Sequence, residues 1–260
     1  MSQPISILII EDEEPLLETL KLKLEKEGFK VDGAADGKQG LDKIYSGKPD
    51  LLLLDLVLPS MTGQDILREL QKTQDPQIKK MPVVVISNSG QPVEIKEVLA
   101  LGADDYIIKA NFTIDDVLER VYNALEKKSG QPDVLVAEDE SFLRMVLAKK
   151  LRLDGLKVVT TIDGDNTLRT ILEVKPKAIV LDLLMPGLSG LEVLETLSKD
   201  SAFHPDDHRI LVLSNYSGKE GEPIIKKMTV GYLIKSNCDI DDIAKKVGSM
   251  VEEVNKGGQK

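Results

Sequence analysis

Short aliphatic runs alternate along this chain with stretches whose apolar residues recur at helical spacing. Ile5 to Ile10, Leu51 to Leu54 and Val83 to Ile86 have the length and composition of strands buried on both faces of a parallel sheet. After Ile10 come four acids, Glu11 to Glu14, then Pro15 and a helical stripe of Leu16, Leu17, Leu20 and Leu24 stopped by Gly28. Proline suits a first helical turn and the acids suit the positive end of the helix dipole. Phe29 to Ala34 reads as a second strand, Gly40 to Tyr45 as part of a second helix, and Gln64 to Gln71 as a third. A fourth helix spans Val93 to Leu101, and Asp105 to Ile108 forms the fifth strand. The last helix has Thr113 as N-cap with Asp116 three residues on, and its apolar face is Ile114, Val117, Leu118, Val121, Tyr122 and Leu125. Five strand-helix pairs predict a doubly wound α/β domain.

The whole pattern then repeats. Asp139 follows Asp12 by 127 positions, and the same offset relates Asp182 to Asp55, Ser214 to Ser87, Gly155 to Gly28 and Gly190 to Gly63. An offset shared by chemically useful and merely structural residues indicates tandem duplication. The expected architecture is two flavodoxin-like (βα)5 doubly wound parallel-sheet domains in tandem, over 1–128 and 133–254, with a linker at 129–132 and a flexible tail at 255–260. Between Ser214 and Lys235 the second copy is one residue shorter, and SGKEGEPIIKKMTVG replaces the fourth helix of the first. Its glycines and Pro223 predict a shorter or looser helix there.

Composition narrows the function classes. The 260 residues carry a net charge of -10, of which the first 130 residues hold -7 and the remainder -3. Neither half offers a basic face for nucleic acid, and the excess favours divalent cations and basic partner surfaces. With aromatics at 3% and no Trp, stacking platforms for sugars or single strands are not expected. Cys238 is the only cysteine, which excludes an intramolecular disulfide and a cysteine metal cluster and leaves inert packing as its expected role. The N-terminus lacks a signal-peptide pattern and no apolar run reaches the roughly 20 residues of a membrane span. A cytoplasmic location, without membrane or nucleic-acid partners, is the expectation.

The candidate chemistry lies at the C-terminal ends of the strands. In an open parallel sheet those ends line one crevice at the point where strand order reverses. Glu11 and Asp12 follow the first strand, Asp55 ends the third, Ser87 the fourth, and Lys109 follows the fifth. With strand order 2-1-3-4-5 the three carboxylates converge, and a hard divalent ion, naturally Mg²⁺, would relieve their repulsion. Taken singly, each feature also reads as ordinary structure: acidic helix caps, strand-end serines, half-buried tyrosines and solvated lysines.

In both copies these residues stand together and in order: an acidic pair, an Asp in an apolar strand followed by Pro and Gly, a Ser, and a Lys preceded by an aromatic. So arranged, the chain resembles two receiver domains of bacterial two-component response regulators, with no output domain. The resemblance implies phosphoacceptors at Asp55 and Asp182, supplied by a histidine kinase or histidine phosphotransfer protein. It further implies that Asp12 and Asp139 bind Mg²⁺ directly, Glu11 and Glu138 through water, and the carbonyls of Val57 and Leu184 complete the metal site. Lys109, Lys235, Ser87 and Ser214 would contact the phosphoryl oxygens, and Tyr106 and Tyr232 would be switch aromatics. A signalling protein rather than an enzyme, with at most slow self-dephosphorylation, is implied.

Departures from the family pattern carry expectations of their own. Ala110 and Ser236 replace the proline that usually follows the lysine, which puts a cis peptide there in doubt. Asn88 and Asn215 follow the serines and would crowd or bind the phosphoryl group. Val57 and Leu184 offer no polar side chain to place a hydrolytic water, which implies long-lived acyl phosphates. An aspartate-nucleophile phosphatase of the haloacid dehalogenase type is the enzymatic alternative, but it needs a second Asp where Val57 and Leu184 stand. A scaffold with inert sites is the third reading. His204 and His208 are spaced i, i+4 beside Asp206 and Asp207, but Pro205 favours a loop over a metal-binding helix face.

Overall fold

The computed structural model describes residues 4–201, 203–204, 207–215 and 222–257. It divides into two compact units, Met1–Lys128 and Ser129–Lys260. The first contains β1 (Ser6–Ile10), α1 (Glu14–Lys26), β2 (Lys30–Ala34), α2 (Gly37–Gly47), β3 (Leu51–Asp55), α3 (Gly63–Lys72), α4 (Pro76–Lys80), β4 (Val83–Ser87), α5 (Pro92–Ala100), β5 (Asp105–Ile108) and α6 (Ile114–Lys128). The second contains β6 (Val134–Ala137), α7 (Ser141–Leu153), β7 (Val158–Thr161), α8 (Gly164–Val174), β8 (Ala178–Asp182), α9 (Gly190–Lys199), β9 (Arg209–Ser214), α10 (Pro223–Met228), β10 (Gly231–Ile234) and α11 (Ile240–Gly257).

Both sheets are parallel and have the predicted order, β2-β1-β3-β4-β5 in the first unit and β7-β6-β8-β9-β10 in the second. Because strands of a parallel sheet are covered on both faces, their residues need no polar alternation. Leu51 to Leu54 are all fully buried. One face of the first sheet packs against α1 and α6 through Leu17, Leu20, Leu24, Val117 and Val121. The other packs against the remaining helices through Ile44, Ile66, Leu67, Ile78 and Val98. The second unit repeats this with α7 and α11 on one face and α8, α9 and α10 on the other.

The helix starts follow from local chemistry. Asp36 accepts hydrogen bonds from the N–H groups of Lys38 and Gln39, which starts α2 at Gly37. Thr113 and Asp116 form the anticipated reciprocal cap, with Asp116 Oδ2 accepting from Thr113 N at 2.7 Å and Thr113 Oγ1 accepting from Asp116 N at 3.2 Å. The short α4, capped by Asp75, is an addition to the predicted elements. As expected, α10 is shorter than its counterpart, with 6 residues against 9 in α5.

One boundary differs from expectation. Residues 255–257, predicted as flexible tail, continue α11, and 258–260 lie outside the described residues. The predicted linker is anchored in part, since Gln131 Nε2 donates to Lys175 O and Lys157 Nζ donates to Ser129 O at 3.1 Å.

The duplicated cores are complementary in different ways. Gly40 lies under Ile10, and a methyl group on it would come within 2.4 Å of Ile10 Cδ1. At the corresponding positions of the second unit, 127 residues on, stand Thr167 and Ala137, both fully buried. A larger residue on the helix is matched by a smaller one on the strand.

Candidate functional site

Strand register brings the predicted residues to one rim. In the first unit Ile10 lies level with Leu54, so Glu11 and Asp55 emerge side by side from adjacent strands. Asp55 is level with Ile86 and Ser87 with Ile108, so Ser87 and Lys109 complete the same edge. The second unit repeats this, with Ala137 level with Leu181 and Ser214 with Ile234.

The side chains meet there. Lys109 Nζ donates to Asp55 Oδ2 and Glu11 Oε1, both at 2.7 Å, and to Glu13 Oε1 at 3.0 Å. Lys235 Nζ donates to Glu138 Oε1 at 2.6 Å and Asp182 Oδ2 at 2.8 Å. The other oxygen of each central aspartate is held by the backbone two residues on: Val57 N to Asp55 Oδ1 and Leu184 N to Asp182 Oδ1, each at 3.1 Å. Glu11, Asp55, Ser87 and their equivalents Glu138, Asp182 and Ser214 are buried, whereas Asp12 and Asp139 face solvent.

Carboxylate oxygens of Glu11, Asp12 and Asp55 lie within 4.8 Å of one another, as do those of Glu138, Asp139 and Asp182. Burial raises Glu11 and Glu138 to about 7 each, against the opposing hydrogen bonds from Lys109 and Lys235, and the neighbouring Asp55 and Asp182 add to the rise. Burial would lower both lysines, but their hydrogen bonds to these acids outweigh it and hold them above the ordinary lysine value. Each site therefore has an excess of negative charge that one lysine leaves uncompensated. Glu138 Oε2 is buried without a hydrogen-bond partner among the described residues. An all-oxygen cluster with an orphaned buried acceptor fits a hard divalent cation.

The remaining predicted residues fall into place around this rim. Tyr106 is half-buried against the α5 side of the core and its hydroxyl donates to Ser89 O at 2.7 Å. Tyr232 packs in the corresponding way on the second core. Asn88 and Asn215 are exposed, and so are the side chains of Val57 and Leu184. No cis peptide occurs among the described residues. Cys238 is a free, half-buried thiol packed against the core near α11.

His208 is a packing residue. Its ring is buried, stacks on Phe203 at 4.9 Å, and places Nδ1 2.6 Å from Pro176 O. Pro205 and Asp206 lie outside the described residues. Two site residues have no assigned role in the sequence reading. Glu13 is the third acid on Lys109, and Arg144 is a buried arginine on α7 whose Nη1 donates to Glu138 O at 2.9 Å and Asp139 O at 3.0 Å. The available signal for Arg144 was a cation inside the apolar stripe of a helix, where Leu17 stands in the first copy.

Many known proteins match part of this chain. Response regulator ArlR of Staphylococcus aureus strain Mu50 is 38% identical over 129 residues, which cover 50% of this chain and 56% of that one. The chain thus spans about half the length of the curated relatives it matches. Among solved structures, a CheY-like response regulator receiver domain protein from Methanospirillum hungatei JF-1 is 30% identical, covering 49% of this chain and 98% of its own, with TM-score 0.45. A response regulator from Chloroflexus aurantiacus J-10-fl, also 30% identical, covers 47% and 98% with TM-score 0.44. No helix among the described residues is long and apolar enough to cross a membrane. The model of the response regulator receiver domain matches twice, at residues 7–122 and 134–248, and the chain belongs to that family as two receiver domains in tandem.

Proposed function

We propose that this chain is a cytoplasmic response regulator, not an enzyme, whose receivers accept phosphoryl groups on Asp55 and Asp182 and signal through protein contacts. One observation carries the reading. In each unit a buried aspartate at the end of a central strand is held by a lysine and lies beside two further acids.

The phosphoryl donor is a phosphohistidine of a kinase or phosphotransfer protein. An aspartate oxygen attacks phosphorus in line; the O–P bond forms as the donor N–P bond breaks, and the electron pair returns to the imidazole, which takes up a proton. The backbone N–H of Val57 or Leu184 fixes the attacking carboxylate, and Lys109 or Lys235 neutralises charge on the transferred group. Ser87 or Ser214 donates to another phosphoryl oxygen. Mg²⁺, held by Asp12 and Asp55 or Asp139 and Asp182 with Glu11 or Glu138 through water, would supply the charge neutralisation that one lysine lacks.

The output is a change in surface. Movement of Ser87 toward the phosphoryl group alters the loop whose Ser89 carbonyl holds Tyr106, and the face formed by α5, β5 and α6 repacks.

Intact-mass spectrometry after incubation with acetyl phosphate and MgCl2 tests the assignment. The wild type is expected to gain two phosphoryl groups, Asp55→Asn and Asp182→Asn one each, and the double variant none. Undiminished labelling of the double variant would overturn it.

A further inference from the structure

A lysine ammonium has three N–H donors and no more. Lys109 commits all three, to Asp55 Oδ2 and Glu11 Oε1 at 2.7 Å and to Glu13 Oε1 at 3.0 Å. Lys235 commits two, to Glu138 Oε1 and Asp182 Oδ2, and makes no further hydrogen bond among the described residues. Glu140, the counterpart of Glu13, is likewise an acid at the start of its helix, but its carboxylate has no partner among the described residues. The two sites thus carry the same acids and differ in whether the outermost has closed on the lysine. Glu13 is the N-cap residue of α1, yet its side chain caps no N–H and turns to Lys109 instead. The lysine side chain is 6% exposed and that of Glu13 57%, so this contact reaches the lysine from the solvent side.

We propose that Glu13 is a positioning residue that acts through Lys109: it occupies the lysine's third donor in the unphosphorylated first receiver and must let go before Lys109 can bind a phosphoryl oxygen on Asp55. This rests on the functional reading above, in which Asp55 takes the phosphoryl group and Lys109 binds it. Of the three acids on Lys109, Glu13 alone has no other part in that reading, since Asp55 is the acceptor and Glu11 belongs to the cation set. Its carboxylate already lies largely in water, so its release uncovers no buried charge, and it is the contact that gives way. In the second receiver Lys235 meets the incoming group with a donor to spare. Loading Asp55 therefore breaks a contact at the lysine that loading Asp182 does not. A largely exposed ion pair of this kind opposes the phosphoryl group by about threefold in affinity.

The test is fluorine NMR titration of the full chain with beryllofluoride in MgCl2, a mimic that sits on an aspartate oxygen and places fluorines where phosphoryl oxygens would be. Asp182→Asn leaves the first site to report alone, and Asp55→Asn the second. In the Asp182→Asn background, Glu13→Ala, which removes the acceptor, is expected to tighten binding about threefold, and Glu13→Gln, which keeps a weaker acceptor, to tighten it less. In the Asp55→Asn background, Glu140→Ala is expected to leave binding at the second site as it was. A long-range effect of charge would act alike in the Ala and Gln variants, and alike at Glu13 and Glu140. Equal gains in Glu13→Ala and Glu13→Gln, an equal gain in Glu140→Ala, or no gain in Glu13→Ala would overturn the proposal. Should Glu13→Ala unfold at lower urea than its parent, Glu13→Ser, a favoured N-cap too short to reach the lysine, carries the same expectation. Failure of beryllofluoride to bind at either aspartate is a separate result and would overturn the functional reading itself.

Discussion

A methyl group on Gly63 would lie 2.2 Å from the backbone oxygen of Asp55, and one on Gly190 would lie the same 2.2 Å from that of Asp182. The start of the following helix thus presses on the backbone of the proposed phosphoacceptor, and Gly63 N donates to Leu56 O at 3.0 Å across the same contact. Neither partner is a flexible side chain, so the backbone itself would have to shift. Gly63→Ala is expected to destabilise the first domain by about 2 kcal/mol and to lower labelling of Asp55 without affecting Asp182. Urea unfolding followed by circular dichroism, with labelling by acetyl phosphate, checks both.

Lys109 is the cation that allows Glu11 and Asp55 to be buried together. Replacing it with Met leaves two buried carboxylates facing each other, a loss of about 3 kcal/mol for the first domain when metal is chelated. Addition of MgCl2 is expected to recover much of that loss, because a divalent ion takes over the neutralisation. Urea midpoints in EDTA and in MgCl2 give the comparison, and equal losses in the two buffers would count against metal at this site.

Stability in EDTA should fall as pH rises. Glu11 and Glu138 ordinarily titrate at 4.5, and burial raises each to about 7 in the folded protein. The folded state therefore holds these protons more tightly than the unfolded one. Their contribution is complete below 4.5 and is lost as the pH passes through about 7. The urea midpoint is expected to decline over that window, and Glu11→Gln with Glu138→Gln to flatten the decline. A wild-type midpoint that rises across it would contradict the burial argument.

The exposed side chains of Val57 and Leu184 bear on how long the proposed acyl phosphates last. Neither can orient water toward the phosphorus, so purified phosphoprotein should lose its label slowly. Leu184→Asn introduces a polar group at the rim and is expected to shorten the lifetime at Asp182 by about tenfold. Decay of the intact-mass signal after removal of acetyl phosphate measures it.

The central strands were legible because their aliphatic runs stop at or just before a polar residue, and the 127-residue offset tied Asp55 to Asp182 and Ser87 to Ser214. A duplicated polar residue at a strand end is hard to explain by packing alone. Less was visible where a segment is too short for a period to emerge, as in α4, or where a cap rather than an apolar face sets the boundary, as Asp36 does for α2. Glu13 was hidden within a run of acids that a helix start accounts for by itself. Arg144 broke an apolar stripe, but sequence spacing does not reveal that its guanidinium folds back onto the carbonyls of Glu138 and Asp139. His208 shows the converse: its spacing from His204 suggests ligation, whereas a carbonyl and a phenyl ring already occupy it.

Neighbouring copies of one fold in a single chain risk exchanging parts while they fold. Ile10 over Gly40, with the buried Ala137 and Thr167 at the equivalent positions of the second unit, works against such a swap. A helix α8 docked on the first sheet would drive a threonine into an isoleucine, and a helix α2 docked on the second would leave a hole between glycine and alanine. Each half thereby rejects its twin's helix, and the kinship that made the duplication readable does not extend to interchangeable parts.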